Sequence, residues 1–83
     1  MRLQDAIRFR ILELAKERKW SVNKLAERSG IAPSSLKRTV KPYATIKNTS
    51  TETIQKLCYG LDIPFREFWN SELFDNLDYE DEE

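Results

Sequence analysis

The stretch SVNKLAERSGIAPSSLKRTV, residues 21–40, decides the fold of this chain. Ser21 can cap a helix by accepting a free backbone N–H. Apolar side chains follow at the spacing of one helix face, namely Val22, Leu25 and Ala26. Gly30 ends this helix, because a residue without Cβ readily adopts the left-handed backbone conformation. Pro33 begins a second short helix, where its fixed φ and missing N–H suit the first turn.

These two helices are predicted to cross at a steep angle. One tight turn joins them and the small residue Ala26 lies where they meet, so they do not pack antiparallel. Leu36 and Val40 face inward from the helix that Pro33 begins, which is the third helix of the chain. Its opposite face carries hydroxyls and cations, namely Ser34, Ser35, Lys37 and Arg38. A protruding helix of this size fits the major groove of duplex DNA, which predicts a DNA-reading helix-turn-helix.

Further helices are predicted on both sides of this motif. Residues 3–18 form an amphipathic helix with the apolar stripe Leu3, Ile7, Ile11 and Leu14. Residues 41–50 form a loop, because proline breaks the helix there and Asn, Thr and Ser favour turns. Thr49 and Glu52 have the spacing of a capping box for a fourth helix, and Pro64 begins a fifth. A short sixth segment includes Leu73, Phe74 and Leu77.

The chain is expected to form one domain with a charged end. Residues 1–50 contain twelve Lys/Arg and four Asp/Glu, a net charge of +8, whereas residues 51–83 contain two and ten, a net charge of −8. Such asymmetry indicates that the basic half of the chain binds a polyanion. The alternative is that both charged halves are simply solvated and confer only solubility. We expect a single domain over residues 1–77 and a disordered acidic tail over residues 78–83.

Catalysis and metal binding have little support in the sequence. The chain has no histidine, one cysteine and no Gly-rich phosphate loop, so neither a metal-ligand set nor a nucleophile–base pair is predicted. Cys58 cannot form an internal disulfide and is expected to be a small buried residue. No apolar run reaches the roughly 20 residues of a membrane span, and no signal peptide is evident. We therefore expect a cytoplasmic, non-enzymatic protein with no cofactor and no membrane or small-molecule partner.

Two runs of the chain resemble the phage-repressor/Cro-type helix-turn-helix family of transcriptional regulators, also called the XRE family. The first is LAERSGIAPSSLKR, residues 25–38. It carries residues typical of the family turn and core, namely Ala26, Gly30, Ile31 and Leu36. The second, TSTETIQKLCYGLDIPFREFW at residues 49–69, is similar to the fourth and fifth family helices. The resemblance implies an all-α, compact, lambda-repressor-like domain of five helices, or six with the last segment, that binds specific double-stranded DNA, most simply as a repressor.

The resemblance also assigns contact residues. Base or groove contacts fall in the third helix, on Pro33, Ser34, Ser35, Lys37 and Arg38. Phosphate contacts fall at the start of the second helix and in the loop after the third, on Ser21, Asn23, Lys41, Lys47 and Asn48. Arg38 is the first candidate for base readout, because a guanidinium can bond O6 and N7 of guanine. The alternatives are an Arg38 paired with Glu27, serines that only cap the third helix, and lysines that are only solvated.

Four positions depart from the family pattern. Val22 replaces a glutamine that often meets the phosphate backbone, and Pro33 cannot donate a hydrogen bond but can pack on a thymine methyl group. Asp62 stands where a helix-ending glycine is usual, and Thr39 replaces an apolar residue, with a hydroxyl that can bond back to the preceding turn. These departures leave open a protein-interaction or antitoxin-like adaptor that keeps the fold without binding DNA.

Aromatic residues are more numerous in the C-terminal part than so small a core needs. They are Phe65, Phe68, Trp69 and Phe74. Because aromatic residues are enriched in interface cores, and two-fold pairing presents two recognition helices to successive grooves, we expect a homodimer through this cluster. The alternative is that these rings close the base of the domain.

Overall fold

The computed structural model describes residues 1–41 and 48–79. Within these ranges the chain forms five α-helices and one 3₁₀ turn, and no strand is present. The helices are α1 (Leu3–Arg18), α2 (Val22–Ser29), α3 (Pro33–Val40), α4 (Thr51–Leu61) and α5 (Phe65–Phe68), and the 3₁₀ turn is Glu72–Phe74. The all-α prediction with five helices is confirmed, and the sixth segment is the 3₁₀ turn.

The core gathers one apolar face from each of the five helices. Its most deeply buried large side chains are Phe68, Ile11, Leu25, Leu36, Ile54, Leu57 and Leu61. Leu3 is a correction to the predicted stripe of α1, because its side chain is 49% exposed. It belongs to the first turn of α1 and lines an open groove with Leu77, so the buried stripe begins at Ile7.

The helix ends follow local chemistry. The Ser21 hydroxyl accepts the Lys24 N–H at 3.1 Å and caps α2, as predicted. α4 is capped by Ser50, whose hydroxyl accepts the Thr53 N–H at 3.1 Å, so the predicted capping box at Thr49 is wrong. Both positions carry a hydroxyl three residues before a helical N–H, and sequence spacing alone does not choose between them. Asp62 ends α4 in the left-handed conformation, with φ 58°, as its position predicted.

α4 packs very closely against α2, the first helix of the helix-turn-helix. A Cβ added at Gly60 would lie 2.4 Å from the Ser29 hydroxyl and 2.9 Å from the carbonyl carbon and oxygen of Arg28. Ser29 is buried, and its hydroxyl has no hydrogen-bond partner among the described residues. The two helices therefore meet at a point where only glycine fits on α4.

A buried arginine ties α1 to the end of α5. The Arg10 guanidinium donates to the carbonyl oxygens of Phe68 at 2.6 Å and Glu67 at 2.7 Å, and to the Glu13 carboxylate at 2.7 Å. Its positive charge also acts on Cys58. Burial raises the pKa of the Cys58 thiol, and the charge of Arg10 partly opposes that rise.

The two ends of the described chain lie together. The Met1 ammonium is 3.2 Å from the Asp78 carboxylate, and the Asp78 N–H donates to the Met1 carbonyl at 2.9 Å. Residues 80–83 of the expected tail lie outside the described residues. Of the helices in residues 1–41 and 48–79, none is both long enough and apolar enough to cross a membrane.

Candidate nucleic-acid interface

The turn between α2 and α3 is built on Gly30. This residue has φ 70°, its N–H donates to the Glu27 carbonyl at 3.4 Å, and the next N–H, of Ile31, donates to the Ala26 carbonyl at 3.0 Å. These bonds satisfy carbonyls that the end of a helix leaves free. The chain then leaves α2 abruptly, and Pro33 begins α3 three residues after the glycine.

The inward face of α3 is firmly held. Leu36, Thr39 and Val40 are buried. The Thr39 hydroxyl donates to the Ser35 carbonyl at 3.1 Å, so this polar residue is satisfied one turn back, as the sequence predicted. With three residues fixed on one side, the rotation of α3 about its own axis is determined, and the residues of the other face must point into solvent.

The outward face of α3 carries most of the predicted base contacts. Pro33, Ser34, Lys37 and Arg38 are exposed and Ser35 is half-buried. Within the described residues, the Lys37 and Arg38 side chains have no hydrogen-bond or ion-pair partner, and the predicted alternative of an Arg38–Glu27 pair is not formed. The N-cap of α3 is Ala32, without a side-chain bond, so the serines do not cap this helix.

The predicted phosphate contacts that the structure describes lie at the start of α2, just after the end of α3 and just before α4. Asn23, Lys41 and Asn48 are exposed, whereas the Ser21 hydroxyl already caps α2. Lys47 lies outside the described residues. A surface groove brings the two helix starts together and is lined by Ser21, Asn23, Lys24, Glu27 and Pro33.

Sequence reasoning missed two members of that groove, Lys24 and Glu27. Both are charged residues of α2, three and six positions after its cap Ser21. This spacing is the feature of the sequence that could have identified them as part of the groove. Lys24 adds a cation beside the predicted phosphate contacts. Glu27 adds a carboxylate near Pro33, and a carboxylate accepts from cytosine N4 but is repelled by phosphate.

Other arginines of the basic half serve the fold. Arg18 donates to the Leu61 carbonyl and lies over the Trp20 ring at 5.6 Å, and Arg28 lies over the same ring at 5.4 Å. Together with the buried Arg10, these side chains hold helices against one another. The cations of α3 differ, because Lys37 and Arg38 are exposed and pair with no residue that the structure describes.

The aromatic cluster lies mainly inside the domain. Phe68 has no exposed surface, and its ring packs 5.0 Å from Trp69 and 6.3 Å from Phe74. Its assignment to a dimer interface is therefore corrected, since a fully buried ring cannot touch a second copy. Phe65 is 44% exposed, and Trp69 and Phe74 are half-buried, so only these three offer surface.

A five-helix domain in which a glycine turn joins two short helices, the second with an exposed cationic face, has the features of a helix-turn-helix protein. The comparison with protein families gives the same result, and the chain belongs to the family of Cro/C1-type helix-turn-helix DNA-binding domains, whose model matches residues 10–70. The match confirms the resemblance seen in the sequence and identifies the chain as a DNA-binding domain. The searches of curated proteins and of solved structures gave no match.

Proposed function

We propose that this chain is a transcriptional regulator that reads an operator by placing α3 in the major groove. The free outward face of α3, with Ser34, Lys37 and Arg38, carries this proposal. An α-helix with its side chains is about 10–12 Å in diameter, which matches a major groove roughly 12 Å wide. The buried inner face keeps these side chains pointed at the groove.

The proposed contacts divide into two kinds. Arg38 selects sequence through a base edge, because its guanidinium lies on the outward face of α3 and is bound by no other described residue. Lys41 and Asn23 lie at the margins of this face and meet phosphates, which fix the register of the protein without reading bases. The +8 charge of residues 1–50 draws the protein to DNA, and the affinity falls as salt rises.

We further propose that two copies bind together and act as a repressor by occupying a promoter. A homodimer is supported by the aromatic surface around α5, where Phe65 is exposed and Trp69 and Phe74 are half-buried. Aromatic side chains are enriched in interface cores. A two-fold pair places its two recognition helices about 34 Å apart, one turn of the duplex.

Selection of bound sequences from a random duplex pool tests this function. We expect a palindromic consensus with half-sites about one helical turn apart. Arg38→Ala should relax the preference at one base pair of each half-site by about 1–3 kcal/mol. Lys41→Ala should weaken all duplexes alike and lower the slope of log affinity against log salt by about 0.9.

Lys56→Ala is the matched control, since Lys56 is an exposed lysine of α4 away from α3, and this variant should bind as the wild type does. Equal losses for Arg38→Ala and Lys41→Ala at every sequence would contradict the proposed division of roles. A pool that yields no enriched sequence would contradict DNA reading and favour the adaptor alternative.

A further inference from the structure

A hydrogen bond joins the start of α1 to the residue that precedes the cap of α4. The Gln4 amide nitrogen donates to the Thr49 hydroxyl at 2.7 Å, across 45 positions of the chain, and the bond is partly buried. Thr49 is not needed for the start of α4, because Ser50 provides the cap. The Gln4–Thr49 bond therefore has another effect, which is to hold the end of the α3–α4 loop against α1.

This held residue is the neighbour of a predicted phosphate contact. Asn48 precedes Thr49, is exposed, and has no side-chain partner within the described residues. Both residues line one groove with Gln4 and Ile7 of α1. Since consecutive Cα atoms are about 3.8 Å apart, fixing Thr49 confines the backbone of Asn48 to a small volume.

We propose that Gln4 is a positioning residue for DNA binding, which acts through Thr49 to hold Asn48 opposite one phosphate of the duplex. The inference rests on the DNA-binding mode proposed above. A contact residue that is ordered before binding loses less entropy when the complex forms. Because phosphate contacts carry no sequence information, loss of Gln4 should lower affinity without changing base preference.

The test uses the operator sequence selected from the random pool. One phosphate at a time is replaced by a neutral methylphosphonate, at each position in turn. The wild type should lose affinity when the phosphate opposite Asn48 is neutralised. Asn48→Ala should lose its sensitivity to that one substitution. Gln4→Met, which keeps the side-chain length and removes the amide, should lose sensitivity at the same position and keep the wild-type losses elsewhere.

Two variants of Thr49 make the test independent of any folding defect at Gln4. Thr49→Val keeps the shape without the hydroxyl and should reproduce the Gln4→Met pattern, whereas Thr49→Ser keeps the hydroxyl and should retain the wild-type pattern. On the unmodified operator, Gln4→Met should bind about threefold to tenfold more weakly. Gln55→Met, the same substitution on the exposed face of α4, is the matched control and should change nothing.

The outcomes separate this inference from the proposed function. If Gln4→Met and Thr49→Val keep the full wild-type pattern, the inference is overturned and reading by α3 stands. If both variants weaken every duplex by the same factor and keep the pattern, Gln4 has only a folding role and the inference is again overturned. If the wild type shows no sequence preference at all, the proposed function itself fails.

Discussion

Gly60→Ala tests the close contact between α4 and α2 on which the helix-turn-helix rests. The new Cβ would lie 2.4 Å from the Ser29 hydroxyl and 2.9 Å from two backbone atoms of Arg28. Backbone atoms cannot rotate away as the tip of a flexible side chain can. The helices must therefore separate at the point where α2 is held against the core.

The expected magnitude follows from two opposing terms. Overpacking of a core contact costs about 1–3 kcal/mol, and contacts with backbone place this case near the upper value. Alanine is favoured over glycine inside a helix by about 1 kcal/mol, which offsets part of the cost. The net loss in the free energy of unfolding is then about 2 kcal/mol, or a fall in Tm of about 10 °C for a domain of this size.

Thermal unfolding of Gly60→Ala, Ser29→Ala and the double variant measures these terms. Ser29→Ala alone should stabilise by about 1 kcal/mol, because it removes a buried hydroxyl without a partner. In the double variant it should also relieve the closest contact and recover part of the Gly60→Ala loss. Recovery should remain incomplete, because the contacts with Arg28 persist.

Gly30→Ala is the matched control for this cycle. Gly30 has φ 70° and open space around its would-be Cβ, so alanine there costs about 1–2 kcal/mol through backbone conformation alone. Ser29→Ala should therefore not rescue Gly30→Ala beyond its own gain. If Gly60→Ala were as stable as the wild type, or if Ser29→Ala rescued both glycine variants equally, the proposed clash would be refuted.

Two further predictions concern buried polar groups. Arg10→Met should lower the free energy of unfolding by about 3–5 kcal/mol in chemical denaturation, because two carbonyls and a carboxylate lose their donor. Arg66→Met, the control at an exposed arginine, should cost under about 0.5 kcal/mol. Similar losses for both variants would contradict the role of Arg10. Because the folded pKa of the Cys58 thiol is raised, the unfolded chain loses that proton first as pH increases. The free energy of unfolding should therefore fall as the pH rises above the ordinary thiol pKa. Cys58→Ala should lack this alkaline fall, whatever its stability at neutral pH, when denaturation is measured as a function of pH.

Much of the fold could be predicted because its determinants are local. The spacing of Val22, Leu25 and Ala26 follows from helix geometry. Gly30 and Asp62 mark helix ends by a backbone conformation that few residues adopt. The outward face of α3 could be predicted for the same reason, since burial of one face of a helix exposes the other. These features need no knowledge of which helices become neighbours.

The missed features depend on tertiary neighbours. Arg10 lies between Ile7 and Leu14 at helical spacing, which was a signal of burial, but its partners are carbonyls at the end of α5. Phe68 could not be separated from its aromatic neighbours until its full burial was known. The Gln4–Thr49 bond joins residues 45 positions apart, and no local pattern predicts it.

The distribution of ion pairs explains how a chain of zero net charge can present a basic face. Among the described residues, the ion pairs lie away from α3, since Glu13 pairs with Arg10, Asp5 with Arg8, and Asp78 with the Met1 ammonium. Those cations are consequently unavailable to DNA. Among the described residues, Lys37 and Arg38 have no ion-pair partner, and their charges stay hydrated at little cost because both side chains are exposed. When phosphates approach, no ion pair with a described residue has to break before these two cations can bind them.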